Sequence, residues 1–493
     1  MAVCVDVGTS VVKAVAYDDG GRETAVARRT VAVERPAPGH AEQDMAVVWD
    51  AVADTLREVG ERLPEPVDLI AITAQGDGCW LVDHDGEPVR PAPLWSDGRN
   101  PAVVEAWQQD GTLERAFRIN GSLSFPGLPN AILPWLREHE PGTLERAHKL
   151  LSCGGWVFHR LTGELAVDVS DASAPLLDIR ARRFSGELLE LFDLEWAHHL
   201  LPDIRDMTDA PGTLTAAAAE RVGLSAGIPV VMAPYDIVAT AIGAGATASG
   251  QACSILGTTL CTEVMADRVD TDGAPSGFTI ATGAGERYMR AFPTLSGTDV
   301  IDWAVRLLGL SGAPDLVALA ERATAPAGGL VLLPYLSPAG ERAPFLDPNA
   351  RGVFFGLTLE HGPEDIALAV MEALSQVVRD CLAAAPVSSE ELRVCGGGAN
   401  SEMWCRLIAD VTGVPTLRSV DAELGAKGAL ITALVATGAE DTIDAAAARL
   451  VRQRDRFEPD PRRHADFDER YRRFLEVREQ CAPGWRRLAD APA

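Results

Sequence analysis

The opening stretch VCVDVGTSVVKAVAYDD sets Asp6, Gly8, Thr9, Ser10 and Lys13 between two apolar runs. An acid, a glycine corner with two hydroxyls and a single cation suit a phosphorylated ligand. Glycine lets backbone approach closely, hydroxyl and N–H groups suit phosphate oxygens, and an adjacent Asp can hold a magnesium ion. The same residues also fit a plain β-hairpin with a solvated turn. Asp236, in PYDIVATAIGAGA, ends one apolar run and begins another. A partly desolvated carboxylate there can take a proton from an alcohol attacking phosphorus, or it can cap a helix. Asp77, in TAQGDG, either meets substrate hydroxyls or sits in a turn. GGGANS, residues 396 to 401, lacks side chains at three positions, which suits adenine or ribose against backbone and equally a loop with positive φ.

These residues need elements to hold them. The β-branched runs Ala2 to Val7 and Ala14 to Tyr17 predict a hairpin around the Gly-Thr-Ser corner. Asp44 to Arg62 has helical spacing with Trp49, Val52, Leu56 and Val59 on one side. Strands are expected at Leu69 to Thr73, Cys79 to Val82 and Ile228 to Ala233. Asn100 to Ala147 reads as mostly helical, broken by the Pro-rich FPGLPNAILP. About half a chain after the first hairpin, CSILGTTLCTEVM repeats its pattern around Gly257, Thr258 and Thr259, which an internal duplication explains. A helix is expected at Pro363 to Ala383, a strand at Leu392 to Cys395 running into GGGANS, and a helix at Glu402 to Thr412. AELGAKGALITALVATG predicts a small-residue helix suited to close packing, and Asp466 to Gln480 an exposed amphipathic one.

Composition narrows the function classes. A chain of 493 residues implies two domains, 47% hydrophobic residues suit a globular enzyme, and no apolar run approaches the length of a membrane helix. The net charge of −27 argues against nucleic acid and anionic membranes as partners. No export signal precedes the first strand, so the cytoplasm is expected. Nine cysteines without a C-x-x-C pair read as buried thiols. His198 and His199 lack a third ligand at metal spacing. P-loop, G-x-G-x-x-G, protein-kinase and G-x-S-x-G patterns are all missing, so a nucleotide here would bind through paired hairpins and the GGG corner.

Taken together, the motifs resemble the FGGY carbohydrate kinases over essentially the whole length. RGVFFGLTLEHGPEDIALAVMEA, residues 351 to 373, is the most specific match, and DVGTSVVK, PYD, the CSILGTT hairpin and GGGANSEMWCRLIADVTG follow in the family's order. The resemblance implies an α/β protein with two RNase H-like domains of the actin, hexokinase and sugar kinase superfamily and an interdomain cleft. Residues 1–245 would form the sugar-binding domain and 246–493 the ATP-binding domain. By position, Asp236 is similar to the family's catalytic base, and Asp6 to the acid that helps hold Mg²⁺. Gly8, Thr9, Ser10 and Lys13 resemble the first phosphate corner, Gly257, Thr258 and Thr259 the second, and Gly397, Gly398 and Asn400 the adenosine-side loop. Gln75, Gly76, Asp77 and Trp95 fall where the family contacts its sugar or polyol. The family's N-terminal signature has a Lys three residues before its Trp, here Trp135, and this chain has Ile132 in that place.

The expected reaction is ATP-dependent phosphorylation of a terminal hydroxyl on a small polyol or ketose, with ATP and Mg²⁺ as cofactors and room for a homodimer. The corner AQGDGCWLVD matches neither the Arg-Glu of glycerol kinases nor the Met-His of D-xylulokinases. With GTSVVKAVAYD, AEQDMAVVW and YLSPAGERAPFLDPNAR it looks more like erythritol kinases, with L-xylulose kinases similar at AQG and DIVATA. Erythritol is therefore the expected acceptor and L- or D-xylulose the alternative. Gly76 in place of a bulky residue is expected to enlarge or neutralise the pocket. The competing class is a non-catalytic sugar or nucleotide sensor on the same fold, against which the intact Asp6, Lys13, Thr258 and Asp236 argue.

Overall fold

A computed structural model describes residues 1–323 and 329–489. The chain forms two compact units. The first contains Met1–Thr247, Ala266–Met289 and Asp421–Val451, and the second the described residues of Ala248–Met265, Arg290–Val420 and Arg452–Ala493.

In the first unit a six-stranded sheet runs in the order Glu23–Thr30, Val11–Tyr17, Ala2–Val7, Leu69–Ala74, Pro229–Met232, Gly212–Thr213. The first hairpin is antiparallel, the next two pairings are parallel, and the last edge is antiparallel. Every residue of Leu69–Ala74 is buried, as a central parallel strand between layers requires. The helix Met45–Arg62 packs on the neighbouring strands Ala2–Val7, Val11–Tyr17 and Glu23–Thr30, and its Trp49, Val52, Leu56 and Val59 are buried at the helical spacing of the sequence. Asp44 caps that helix by accepting from the amides of Ala46 and Val47.

The second unit repeats the scheme. Six strands of its sheet follow the order Tyr288–Pro293, Leu260–Ala266, Gln251–Leu256, Glu391–Cys395, Thr416–Ser419, Gln453–Phe457. A hairpin, two parallel pairings and an antiparallel edge recur in the same succession. The half-chain recurrence of the Gly-Thr pattern is thus a repeat of topology and not of turn residues alone.

Helix Leu424–Ala436 belongs to the first unit and packs against helix Asp236–Gly243 with almost no side chain between them. A Cβ added at Gly428 would lie 2.6 Å from the carbonyl carbon of Ala239, and one at Gly243 2.8 Å from the amide of Gly428. Lys427 in this helix is wholly buried. It lies 5.1 Å from the centre of the Tyr17 ring, pairs with Asp421 at 3.3 Å and donates to the Gly21 carbonyl.

Two expectations change. The helix Pro129–His139 carries Pro134 in its interior, so within FPGLPNAILP only the residues before Pro129 break the helical region. Burial of Ala131, Ile132, Leu133 and Leu136 offsets the hydrogen bond that Pro134 cannot donate. Ile132, where the family signature has Lys, is a fully buried core residue. The last helix runs from Pro461 to Ala489, longer than expected, and buries Phe467, Phe474, Val477 and Trp485. Eight cysteines are buried thiols and Cys481 is partly exposed. Among the described residues no helix is long and apolar enough to cross a membrane.

Candidate active site

Three neighbouring parallel strands of the first unit end together. Val7 lies opposite Ala74, and the Ala233 amide donates to the Ile72 carbonyl at 2.8 Å. The corners Gly8–Ser10, Gln75–Asp77 and Pro234–Asp236 therefore stand side by side at the carboxyl ends of their strands, where open α/β sheets place ligands.

Hairpin register sets Asp6 opposite Lys13. The Lys13 ammonium is 3.7 Å from Asp6 Oδ2 and 2.9 Å from Glu423 Oε2, and Arg28 also pairs with Glu423. Burial works against the charge on Lys13, but Asp6 and then Glu423 outweigh it and hold its pKa above the ordinary value. Burial also raises the Asp6 carboxyl, an effect Lys13 only partly offsets. For Glu423 burial is overcome by its bonds to Lys13 and Arg28, and its pKa falls. Gly425 packs closely beside this group: a Cβ there would lie 3.0 Å from Asp6 Oδ2, and the carboxylate would have to shift.

The polar corner at Thr9 is a network. Its hydroxyl donates to Gln75 Oε1 at 2.8 Å and accepts from Trp95 Nε1 at 3.0 Å. Gln75 in turn donates to Gln43 Oε1 at 2.8 Å, and Gln43 donates to the Thr9 carbonyl at 2.6 Å. The Thr9 hydroxyl proton is committed to orienting Gln75 and the Gly8 amide to the Val11 carbonyl, which leaves the Thr9 and Ser10 amides and the exposed Ser10 hydroxyl as the donors of this corner. Trp95 is 36% exposed. Its loop is pinned by Asp97, which accepts from the Ala41 amide at 2.7 Å and pairs with the buried Arg99 at 2.8 Å.

Asp236 is the first residue of its helix, and Tyr235, not Asp236, occupies the N-cap position. The capping reading of Asp236 therefore does not hold: among the described residues its Oδ1 accepts only from the adjacent Ile237 amide at 2.7 Å. Two hydroxyls fix the segment that carries it. Thr73 donates to the Pro234 carbonyl at 2.7 Å, and Ser170, itself bonded to Asp168, accepts from the Tyr235 amide at 3.0 Å. Burial, with the negative charge of Asp6 and more weakly of Asp77, raises the Asp236 pKa to about 7. Asp77 itself adopts a left-handed turn with φ 59°.

The space at Gly76 is not open. A Cβ there would lie 2.6 Å from Tyr235 Cε2, because the tyrosine ring packs edge-on against the glycine. The expected enlargement of the pocket is thus cancelled locally: the ring fills what a larger residue at 76 would occupy.

In the second unit the Gly257–Thr259 corner and the Gly396–Asn400 corner are again neighbours, with Ile255 opposite Cys395 on parallel strands. Thr258, Thr259 and Asn400 are exposed. Gly396 has φ 80° and would place a Cβ 2.9 Å from the Leu256 carbonyl oxygen. Gly398 is held by close packing, with Leu256 Cβ 2.8 Å from an added Cβ, whereas nothing lies within 4 Å at Gly397. Each reading of the GGG corner thus applies to one residue: positive φ to Gly396 and open backbone to Gly397.

The sequence does not single out Glu423, Tyr235 or Asp171, although Tyr235 lies in PYD and Glu423 in AELGAKGALITALVATG. Asp171 accepts from the Ser152 hydroxyl at 2.8 Å through one oxygen, while its other oxygen is buried without a partner. Burial and then the charge of Asp168 raise its pKa well above normal. Only the helical pattern after Glu423 hinted at its place, and contacts across 410 residues of sequence cannot be read from spacing.

The paired three-layer topology, repeated in two units with glycine corners at matching strand ends, defines a two-domain sugar kinase fold. The crystal structure of xylulose kinase from Rhodospirillum rubrum superposes with a TM-score of 0.90 at 27% identity, covering 98% of this chain and 99% of that one. Residues 1–243 match the N-terminal domain and residues 252–437 the C-terminal domain of the FGGY family of carbohydrate kinases. A xylulose kinase of Escherichia coli K12 is 31% identical over 98% of this chain and 99% of its own length. An erythritol kinase of Brucella abortus is 32% identical over 99% of this chain and 97% of its own. The chain belongs to the FGGY family of carbohydrate kinases and is a sugar or polyol phosphotransferase.

Proposed function

We infer that this kinase transfers the γ-phosphoryl group of ATP to a terminal hydroxyl of erythritol, with Asp236 as general base. The observation that carries the mechanism is the Asp236 carboxylate at a strand end, raised to about 7 by burial and by Asp6. A base with its pKa near neutrality combines availability with driving force. Asp236 accepts the hydroxyl proton as the acceptor oxygen forms its bond to the γ-phosphorus. The bond from that phosphorus to the β-γ bridging oxygen breaks and ADP leaves. Gln75, Asp77 and Trp95 supply donors, acceptors and an apolar face for the acceptor. Lys13 and the amides of Thr9 and Ser10 meet the transferring phosphates, the Gly8 amide being bonded to the Val11 carbonyl at 3.1 Å. Gly257, Thr258 and Thr259 hold the nucleotide's phosphates, and Gly397, Gly398 and Asn400 its adenosine side.

Asp6 suits a magnesium ion. Its carboxyl is raised by burial that Lys13 at 3.7 Å only partly offsets, so a facing divalent cation relieves a standing cost. Among the described residues no cluster of three or more His, Cys, Asp or Glu forms a metal cage. One carboxylate with water and phosphate oxygens is the mode Mg²⁺ favours. When bound, Mg²⁺ supplies neutralisation of charge on the phosphoryl oxygens.

Erythritol rests on the corner AQGDGCWLVD and on the full-length similarity to an erythritol kinase. The equal similarity to a xylulose kinase favours xylulose as the second reading. ADP release with Mg-ATP across erythritol, the threitols, D- and L-xylulose, D-ribulose, ribitol, glycerol and gluconate decides between them. Erythritol should give the highest kcat/KM, and a higher value for either xylulose replaces it. ATP consumption without acceptor dependence would overturn the kinase mechanism.

Two further outcomes follow from the geometry. The base must be ionised, so kcat/KM is expected to fall with unit slope below about pH 7, and a flat profile down to pH 5 would remove Asp236 as base. Glu423→Gln removes the charge that holds Lys13 and Arg28. KM for ATP should rise about tenfold, the scale of a charge-assisted hydrogen bond, with KM for the acceptor nearly unchanged in initial-rate assays.

A further inference from the structure

The geometry points to Tyr235 as the residue that sets the length of the acceptor, its ring standing in the volume that a side chain at position 76 would otherwise fill. The inference rests on the reading of Asp236 as the base of an acceptor kinase, and it names the device that selects among acceptors.

Tyr235 directly precedes Asp236, and the reacting hydroxyl must come within hydrogen-bond reach of the Asp236 carboxylate. The residue beside that carboxylate on the same turn therefore borders the acceptor. Its backbone has little freedom, since its amide is bonded to Ser170 at 3.0 Å and the preceding carbonyl to Thr73 at 2.7 Å. The ring lies against Gly76, the middle residue of the Gln75–Asp77 corner, and the residue remains partly exposed.

An apolar ring at this polar corner offers a wall for the C–H face of a carbon chain whose hydroxyls are bound at its two ends. A side chain at 76 and an aromatic ring at 235 exclude each other, since a Cβ at 76 already overlaps the ring. The large group of this wall thus comes from the Asp236 helix and not from the Gln75–Asp77 corner. A ring that fills space at the Gln75–Asp77 corner narrows the room for the acceptor, which favours a linear four-carbon polyol over a five-carbon ketose. A pocket that must find room for one more carbon discriminates by about tenfold or more.

The test compares kcat/KM for erythritol with that for D-xylulose, L-xylulose and ribitol in the wild type, Tyr235→Phe and Tyr235→Ala. Tyr235→Phe keeps the ring and should hold the four-to-five-carbon ratio within twofold. Tyr235→Ala should lower the ratio at least tenfold, chiefly through a lower KM for the five-carbon acceptors. A thermal readout follows the packing itself: Gly76→Ala should lower Tm in the wild type and leave it unchanged in the Tyr235→Ala background. An unchanged ratio in a folded, active Tyr235→Ala enzyme overturns the role of Tyr235 and leaves the kinase reading standing. A wild type that already prefers five-carbon ketoses overturns it as well. If no acceptor stimulates ADP release by the wild type, the kinase reading itself fails and the inference falls with it.

Discussion

Asp236→Asn is expected to lower kcat by about 10²- to 10⁴-fold, the usual contribution of a positioned general base, with KM for ATP within about threefold of wild type. Asn keeps the shape of the side chain and its bond from the Ile237 amide, but it accepts no proton. The same substitution should stabilise the protein at alkaline pH. A carboxyl whose folded pKa is raised to about 7 contributes fully below the unfolded value of about 4, and its contribution is lost as pH rises through 7. Asn resembles the protonated acid at every pH, so the Tm of the variant relative to wild type should rise between pH 5 and pH 8 by on the order of 2 °C. Steady-state kinetics and a Tm series from pH 5 to pH 8 check both halves. Near-wild-type turnover ends the base assignment, and a Tm difference that does not grow with pH ends the electrostatic one.

Gly428→Ala is expected to destabilise the first unit by about 3 kcal/mol and lower Tm by on the order of 5 °C or more, large for a single methyl group. The added Cβ meets the backbone of Ala239, and backbone cannot turn aside as a flexible side chain can. Helix Asp236–Gly243 must shift, so kcat should fall together with stability although residue 428 touches no reacting group. Scanning calorimetry and ADP release on one preparation test this. A Tm within 1 °C of wild type would mean that the two helices are not packed backbone to backbone.

Much of the fold was legible because local pattern and tertiary demand agree. The β-branched run before Asp6, the helical spacing from Trp49 to Val59 and the small-residue stretch after Glu423 each became the element that the pattern implied. Pro134 misled because a helix can absorb a proline when its apolar face is buried, and burial is not a local property. Gly76 misled for the opposite reason: an absent side chain was read as space, while a ring from residue 235 fills it.

The sequence by itself determined which residue types stand at the strand ends, since Asp6, Lys13, Gln75, Asp77, Asp236 and the two Gly-Thr corners follow apolar runs whose periodicity specifies strands. Tertiary structure alone decided their company. Parallel register aligned the three corners of the first unit, and the return of Asp421–Val451 to that unit brought Glu423 to Lys13. Burial beside Asp6 then moved the Asp236 pKa to about 7. Charge, burial and register at a site depend on contacts between residues hundreds of positions apart, and spacing along a chain does not encode them.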